Sequence, residues 1–167
     1  MMVAVGRIHD LSRYHIKSSQ SIYCLETCKP SAAWNFIATA SHLSQTLGMH
    51  SKIAMARDPP DIRMGKIRIF WLVYVQEKGL SLRLGRSSTI HDGDITIPVP
   101  SIESRSEIGY FGQLDKMKEL AYLQGKIYDQ LYSSAALAQP HTVRTTRARS
   151  LASELEVHTN RILPSDV

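Results

Sequence analysis

The chain has 167 residues, of which 43% are hydrophobic and 21% are charged, and its formal net charge is +5. The apolar share predicts one folded domain or part of one, and the mild, scattered positive charge does not favour a nucleic-acid-binding surface. No stretch approaches the roughly 20 apolar residues of a membrane span, the first residues do not form a signal peptide, and two cysteines do not make a disulfide framework, so we expect an intracellular protein.

Residues 1–15 have no periodic pattern and are predicted to form an arm. A helix is predicted from Ile16 to Thr27, ahead of the break at Pro30. Cys24 and Cys28 share one face of this helix because they are four residues apart. A tetrahedral zinc site would need two further Cys or His ligands, and the spacing suggests none. We therefore interpret both cysteines as small residues in a helix interface.

The next predicted helix runs from Ala32 to Leu47 and ends at Gly48, which can adopt the left-handed conformation that closes a helix. One stripe is predicted to face the core: Trp34, Ile37, Ala38, Ser41, Leu43 and Gln45. His42 falls among these positions, and we interpret it as a hydrogen-bonded core histidine.

The central prediction is one long helix over about residues 61–84, with Asp58 as its N-cap, Pro59 at its first position and Gly85 at its end. Its middle, residues 69–75, is apolar on every side, so we expect it to be buried between other helices. One face is predicted to comprise Ile67, Phe70, Trp71, Tyr74, Lys78 and Ser81, and the residues predicted to be capable of facing solvent are Arg63, Lys66, Arg68, Glu77 and Arg83.

Residues 86–104 are predicted to be extended over the helices, because prolines at alternate positions, Pro98 and Pro100, prevent a helix. The predicted apolar anchors are Ile90, Ile95, Ile97 and Val99. The string His91-Asp92-Gly93-Asp94 contains metal-ligand types, but it lacks the further oxygen ligands and the closing Glu of an EF-hand. We do not predict a metal site there.

The clearest amphipathic helix is predicted from Gln113 to Tyr132, and residues 133–140 break it. A last helix is predicted from Val143 to Ile162, with Val143, Leu151, Leu155 and Ile162 on its apolar side. Arg144, Arg147 and Arg149 stand near its start, and we interpret them as solvated.

The residues offer no recognisable catalytic chemistry. The chain lacks a Gly-rich phosphate loop, a nucleophile elbow and a zinc-protease motif, and its seven histidines have no pair at ligand spacing. The residues alone therefore predict an all-α, irregular multi-helix domain around the buried central helix, with no catalytic residue and no metal ligand.

Several short motifs occur in the order found in the fungus-specific transcription factor domain, the middle homology region of zinc-cluster (Zn₂Cys₆) regulators. The chain resembles this family over residues 16–164. The residues that carry the resemblance include Trp34, Gly48, Phe70, Trp71, Leu84, Gly85, Arg86 and Asp94. Departures are Ser87 where the family usually has Pro, and Glu77-Lys78 where it favours Asp-Arg. The largest departure is that the family's six-cysteine zinc cluster is absent from this sequence.

The resemblance implies a regulatory domain of a nuclear transcription regulator, acting through protein partners or other domains of the same regulator. It implies that DNA is read by a zinc cluster preceding the domain, so this chain is expected neither to bind DNA nor to hold a cofactor. The family's domain extends beyond both ends of the chain, and we therefore expect exposed apolar surface on the terminal helices.

Other functions stay open at this point. The domain can sense a small-molecule inducer in a pocket between the central helix and the 113–132 helix, lined by Trp71, Tyr74, Met117 and Tyr128, although such residues usually form core. It can also be a stand-alone, truncated regulator that associates with full-length relatives. An enzyme would need a site that the sequence does not connect.

Overall fold

The computed structural model describes Gln20, Tyr23, Cys24 and residues 29–99 and 114–162. These residues form helices and connections without a strand, which confirms the all-α prediction. The α-helices are α1 (Pro30–Thr46), α2 (Pro60–Leu84), α3 (Leu114–Ile127), α4 (Ser134–Leu137) and α5 (His141–Ile162). A 3₁₀ turn occupies Asp92–Asp94, and a π-helical turn, Tyr128–Tyr132, follows α3 directly.

Some sequence predictions fall outside the described residues, namely the arm, Cys28 and the end of the extended segment. Within the predicted 16–27 helix, Gln20, Tyr23 and Cys24 are helical, and Cys24 is buried in the core cluster. No helix in the described part of the chain has the length and apolar character that crossing a membrane requires.

Helix α2 is the centre of the fold, and it packs against both α1 and α3. Every residue of the predicted face is buried: Ile67, Phe70, Trp71, Tyr74, Lys78 and Ser81. Gly85 ends the helix in the left-handed conformation, with φ of 63°, as its sequence position predicts. The prediction of a buried central helix is therefore confirmed.

The predicted start of α2 is wrong by one residue. Pro59 is the cap residue, with an extended ψ of 149°, and Pro60 takes the first helical position. A residue that precedes proline is pushed out of the helical region, so the second proline of the pair sets the start. Asp58 does not cap the helix but accepts a hydrogen bond from Lys66 Nζ at 2.7 Å.

Two of the side chains predicted to face solvent are buried. Lys66 is enclosed beside the Asp58 carboxylate, and Glu77 is fully buried. Charge alone predicts exposure, because burying an unpaired charge is costly. Here Lys66 pairs with Asp58, in the turn before α2, and Glu77 accepts hydrogen bonds from residues 88 and 89. The pattern of α2 alone predicts neither pairing.

Helix α1 buries a narrow stripe of mostly small side chains: Ala33, Ile37, Ala40, Ser41 and Ser44. His42 is exposed, so its interpretation as a core histidine is wrong. The stripe follows positions three or four residues apart, and His42 falls between two of them. After the helix, Gly48 adopts φ of 66°, as predicted.

The C-terminal part departs most from its predicted pattern. The break after residue 132 contains the short helix α4, which Ser133 caps by accepting from the Ala136 amide at 3.1 Å. On α5, Leu151 and His158 are buried, whereas Val143 and Leu155 are 37% and 39% exposed, so the predicted apolar side is wrong at those two positions. Two of the three clustered arginines, Arg144 and Arg147, are half-buried rather than solvated; Arg149 is exposed.

Candidate functional site

A buried network of polar side chains joins α2 to residues 86–99, which we call the proline segment. At its centre lies the Glu77 carboxylate, which accepts hydrogen bonds from the Thr89 amide at 2.6 Å and from Ser88 Oγ at 2.7 Å. Thr89 Oγ1 and Ser81 Oγ donate to the same carboxylate at 3.1 and 3.2 Å. These four donors replace the water that the buried group gives up.

The next residue of α2, Lys78, holds the following turn of the proline segment. Its Nζ donates to the Ile90 carbonyl at 2.9 Å and lies 3.2 Å from Asp92 Oδ2. The other carboxylate oxygen of Asp92 accepts from the Tyr74 hydroxyl at 2.7 Å. Asp92 is therefore paired with a lysine and a tyrosine, and no cluster of three metal-ligating side chains occurs among the residues that the structure describes.

The proline segment also contacts α1 and the loop that follows it. Gln45 Nε2 donates to the Thr89 carbonyl at 3.1 Å, and Ser41 and Thr89 hydroxyls lie 2.8 Å apart. Further along, the Thr96 amide donates to the His50 carbonyl at 3.0 Å. Three parts of the chain are thus joined through one extended stretch.

Beside the proline segment, a cleft of about 440 Å³ opens between α2 and α3. Its described lining residues are Trp71, Tyr74, Asp92, Ile95, Ile97, Pro98, Val99, Lys118, Glu119 and Tyr122. Trp71 and Tyr74 meet edge to face, with ring centroids 5.2 Å apart. Trp71 Nε1 donates to the Pro98 carbonyl at 2.9 Å, which fixes the indole against the proline segment.

The charged side chains of the cleft differ in how they are partnered. Glu119 lies 3.4 Å from His158 Nδ1 and 3.9 Å from Arg161 Nη1, on α5. Asp92 is held by Lys78, as described above. Lys118 Nζ instead lies over the Trp71 ring, 5.2 Å from its centroid, and among the described residues no carboxylate pairs with it.

Burial raises the pKa of Tyr74 far above its ordinary value of 10.0, and the hydrogen bond to Asp92 raises it further. Removing the proton would place a second negative charge beside the Asp92 carboxylate, in a site that has little water to screen it. The hydroxyl therefore stays protonated across the physiological range and keeps donating to Asp92.

The structure brings only part of the predicted pocket together. Trp71 and Tyr74 line the cleft, whereas Met117 and Tyr128 are half-buried and are not among its described lining residues. Lys118 and Tyr122 were not predicted to line the pocket, although their spacing of four residues places them on one face of α3. Asp92 was not predicted there either, because its position depends on the path of the proline segment.

The motif residues lie mostly at structural positions. Arg86 lies over the Trp34 ring, 5.5 Å from its centroid, so two motifs distant in sequence meet. Phe70 is fully buried and Leu84 is half-buried, whereas Asp94 is exposed. The two motif glycines, Gly48 and Gly85, both have positive φ.

Most of the chain matches a known protein family. The model of the fungal specific transcription factor domain matches residues 11–158. The chain belongs to this family. No solved structure matches the chain significantly.

Curated relatives are transcription regulators of fungi. An ABC-transporter-regulating transcription factor of Aspergillus fumigatus is 27% identical over 157 residues, which cover 88% of this chain and 17% of the relative. Protein STB5 of Saccharomyces cerevisiae is 28% identical over 73% of this chain and 17% of its own length. The lactose regulatory protein LAC9 of Kluyveromyces lactis is 28% identical over 68% of this chain and 13% of its own length. The chain thus spans less than a fifth of the length of these relatives.

Proposed function

We propose that this chain is a regulatory part of a fungal zinc-cluster transcription factor, and that it controls DNA-templated transcription through protein or intramolecular contacts. The observation that carries the proposal is the family match over residues 11–158. The relatives' names as transcription regulators support it and point to the nucleus as the place of action. In this proposal the zinc of the regulator belongs to a separate cysteine cluster, and the regulatory role of this chain calls for neither a cofactor nor a catalytic residue.

Part of the domain's positive charge is engaged within the fold and is not available to DNA. Lys66 and Lys78 are buried with carboxylate partners, and Lys126 pairs with Glu154 on α5. Cations engaged in this way are not free to contact phosphates, and such contacts supply most of a protein's nonspecific affinity for DNA.

A reporter assay tests the regulatory role. The chain is inserted between a heterologous DNA-binding domain and an activation domain, and a helical spacer of equal length serves as the control. We expect the insert to lower reporter activity, and a Glu77→Ala insert, which loses the acceptor of the buried network, to relieve this effect. Reporter activity equal to that of the spacer fusion would contradict the proposal.

The separation from DNA reading has its own test. Purified chain, mixed with duplex DNA at low salt, should show no sequence-dependent shift in an electrophoretic mobility assay. Tight binding that depends on both sequence and salt would overturn this part of the proposal.

The cleft favours a second candidate, in which the domain also senses a small-molecule inducer. A cleft with an aromatic wall of Trp71 and Tyr74 and a few polar groups has the character of ligand pockets in general. A ligand that binds the folded state raises its apparent stability, so a thermal-shift screen of metabolites tests this candidate. If no compound raises the melting temperature, regulation by protein contacts alone is favoured.

A further inference from the structure

We propose that the cleft between α2, α3 and the proline segment binds a small apolar carboxylate, whose acid group pairs with Lys118. This inference rests on the sensing role proposed above and names the chemical class of its ligand. The apolar body of the ligand lies against the aromatic rings of α2 and the aliphatic side chains of the proline segment.

The shape and lining of the cleft select the apolar body. Its volume of about 440 Å³ is in the range of small-molecule sites, which is roughly 300–1,000 Å³. Trp71 and Tyr74 form one wall, and the aliphatic side chains of Ile95, Ile97 and Val99 form another. The Trp71 indole is fixed by its hydrogen bond to the Pro98 carbonyl, so the wall is already in place before a ligand arrives.

The distribution of charge selects the acid group. The two carboxylates of the lining, Asp92 and Glu119, already face cations or histidine of the domain, which offsets their repulsion of an anion. Lys118 has only the Trp71 ring as its described partner, and it lies within the lining of the cleft. A ligand carboxylate beside the apolar wall would therefore gain a charge-assisted hydrogen bond. A ligand cation would meet Lys118 already placed over the ring face.

The neutral state of Tyr74 reinforces this arrangement. Its hydroxyl donates to Asp92 and stays protonated, so it adds no negative charge to the wall on which the ligand rests. Lys78 faces the same Asp92 from α2 and lies 5.4 Å from the centroid of the Tyr74 ring, which adds a second cation behind that wall.

Fluorescence of Trp71 provides a direct measurement. The chain has two tryptophans, so a Trp34→Phe variant leaves Trp71 as the single reporter. The probes are 4-phenylbutanoate, the neutral 4-phenylbutanol and the cationic 4-phenylbutylammonium, which share one apolar body. We expect saturable quenching by the carboxylate, at least tenfold weaker binding of the alcohol, and the weakest binding of the ammonium compound.

A substitution pair locates the acid group. Lys118→Met keeps the apolar stem and removes the charge, so it should weaken carboxylate binding at least tenfold and leave alcohol binding unchanged. Lys116→Met, at an exposed position of the same helix, is the matched control and should change neither. Circular dichroism verifies that both variants are folded.

The proposal is overturned if the carboxylate gives no saturable quenching, if the ammonium compound binds as tightly, or if Lys118→Met matches Lys116→Met. The reporter assay uses the unliganded domain, so its outcome does not depend on any of these binding results. Failure of the ligand proposal is therefore distinguishable from failure of the regulatory role.

Discussion

At the scale of single residues, Glu77 combines full burial with a negative charge. Its carboxylate is the acceptor for a backbone amide and three hydroxyl groups from α2 and the proline segment. The side chain is thus a structural link rather than a surface charge. Its removal would leave several buried donors without an acceptor, which costs more than the loss of an ordinary hydrogen bond.

We expect Glu77→Gln to destabilise the fold by about 2 kcal/mol and Glu77→Ala by about 3–5 kcal/mol, because the amide accepts fewer of these bonds and alanine accepts none. Urea unfolding followed by circular dichroism measures both changes. Glu156→Gln, at an exposed position of α5, is the control and should alter the unfolding free energy by less than about 0.5 kcal/mol. A Glu77→Gln variant as stable as this control would contradict the assignment of Glu77 as a link.

Tyr74 gives the fold a dependence on alkaline pH. Its folded pKa is raised above the ordinary value of 10.0, so above pH 10 the unfolded chain releases a proton that the folded chain retains. The stabilisation that comes from this raised pKa is complete below pH 10. As the pH rises above 10, the unfolding free energy falls by up to about 1.4 kcal/mol per pH unit. Tyr74→Phe should lose about 1–2 kcal/mol at pH 7, with its hydrogen bond to Asp92, and show a smaller further loss at pH 10–11. Denaturant unfolding of wild type and Tyr74→Phe at pH 7 and at pH 10–11 measures these changes in unfolding free energy. An equal loss in the two proteins at alkaline pH would refute the prediction.

At the scale of elements, the glycines differ in what a side chain would meet. Gly65 lies within α2 with nothing near its Cβ position. Gly85 has an open Cβ position but a left-handed backbone, with φ of 63°. Gly48 shares that backbone conformation, and a Cβ there would lie 2.6 Å from the Ala54 Cβ.

We therefore expect the three Gly→Ala variants to separate in sign and size. Gly65→Ala should stabilise the fold by up to about 1 kcal/mol through helix propensity. Gly85→Ala should destabilise it by about 1–2 kcal/mol through backbone strain alone, and Gly48→Ala should destabilise it by more, because the loop must also move. Thermal unfolding ranks the three; a Gly48→Ala protein as stable as Gly85→Ala would show that the loop around Ala54 yields freely.

The helices also show what local sequence pattern can and cannot predict. The buried face of α2 and its end at Gly85 followed from spacing and from one residue's conformational freedom. The start of α2 follows from the restriction that Pro60 places on the preceding residue, which keeps Pro59 out of the first helical position. The exposure of His42 follows from the narrowness of the buried stripe of α1, which the spacing of apolar residues alone did not predict.

At the scale of the whole molecule, the sequence predicted the helical class and the central helix but not the polar network. Glu77 and Lys78 find their main partners 11–14 residues away, in a stretch without periodic pattern. Thr89 is joined to α1 across 44 residues. Hydrophobic periodicity reports which face of a helix is apolar, but it carries no information on which distant carbonyl or hydroxyl will meet a buried charge. The cleft depends on the same pairing, so only its two α2 residues were predicted.

Among the described residues, most of the exposed large apolar side chains lie in the C-terminal half, and they include Tyr132, Leu137, Val143, Leu155 and Val157, while Ile53 is exposed in the N-terminal half. We expect the chain to bind a hydrophobic-surface dye or to self-associate through these exposed apolar side chains. The double variant Leu137→Gln and Val157→Gln should lower dye fluorescence and leave the melting temperature almost unchanged, since both side chains are more than half exposed. Glu156→Gln is again the control. A monodisperse, dye-free wild-type protein would refute the prediction.

The short run from Gly85 to Thr89 is fixed at both ends, by the left-handed turn that leaves α2 and by the Thr89 amide on Glu77. Surface connections in general accept added or lost residues at little thermodynamic cost. Here one extra residue would displace the residues that follow it by one position, and Asp92 would then lie out of reach of Tyr74 and Lys78. Among natural relatives that keep an acidic residue at the position of Glu77, we therefore expect insertions and deletions to be rare between the positions of Gly85 and Thr89.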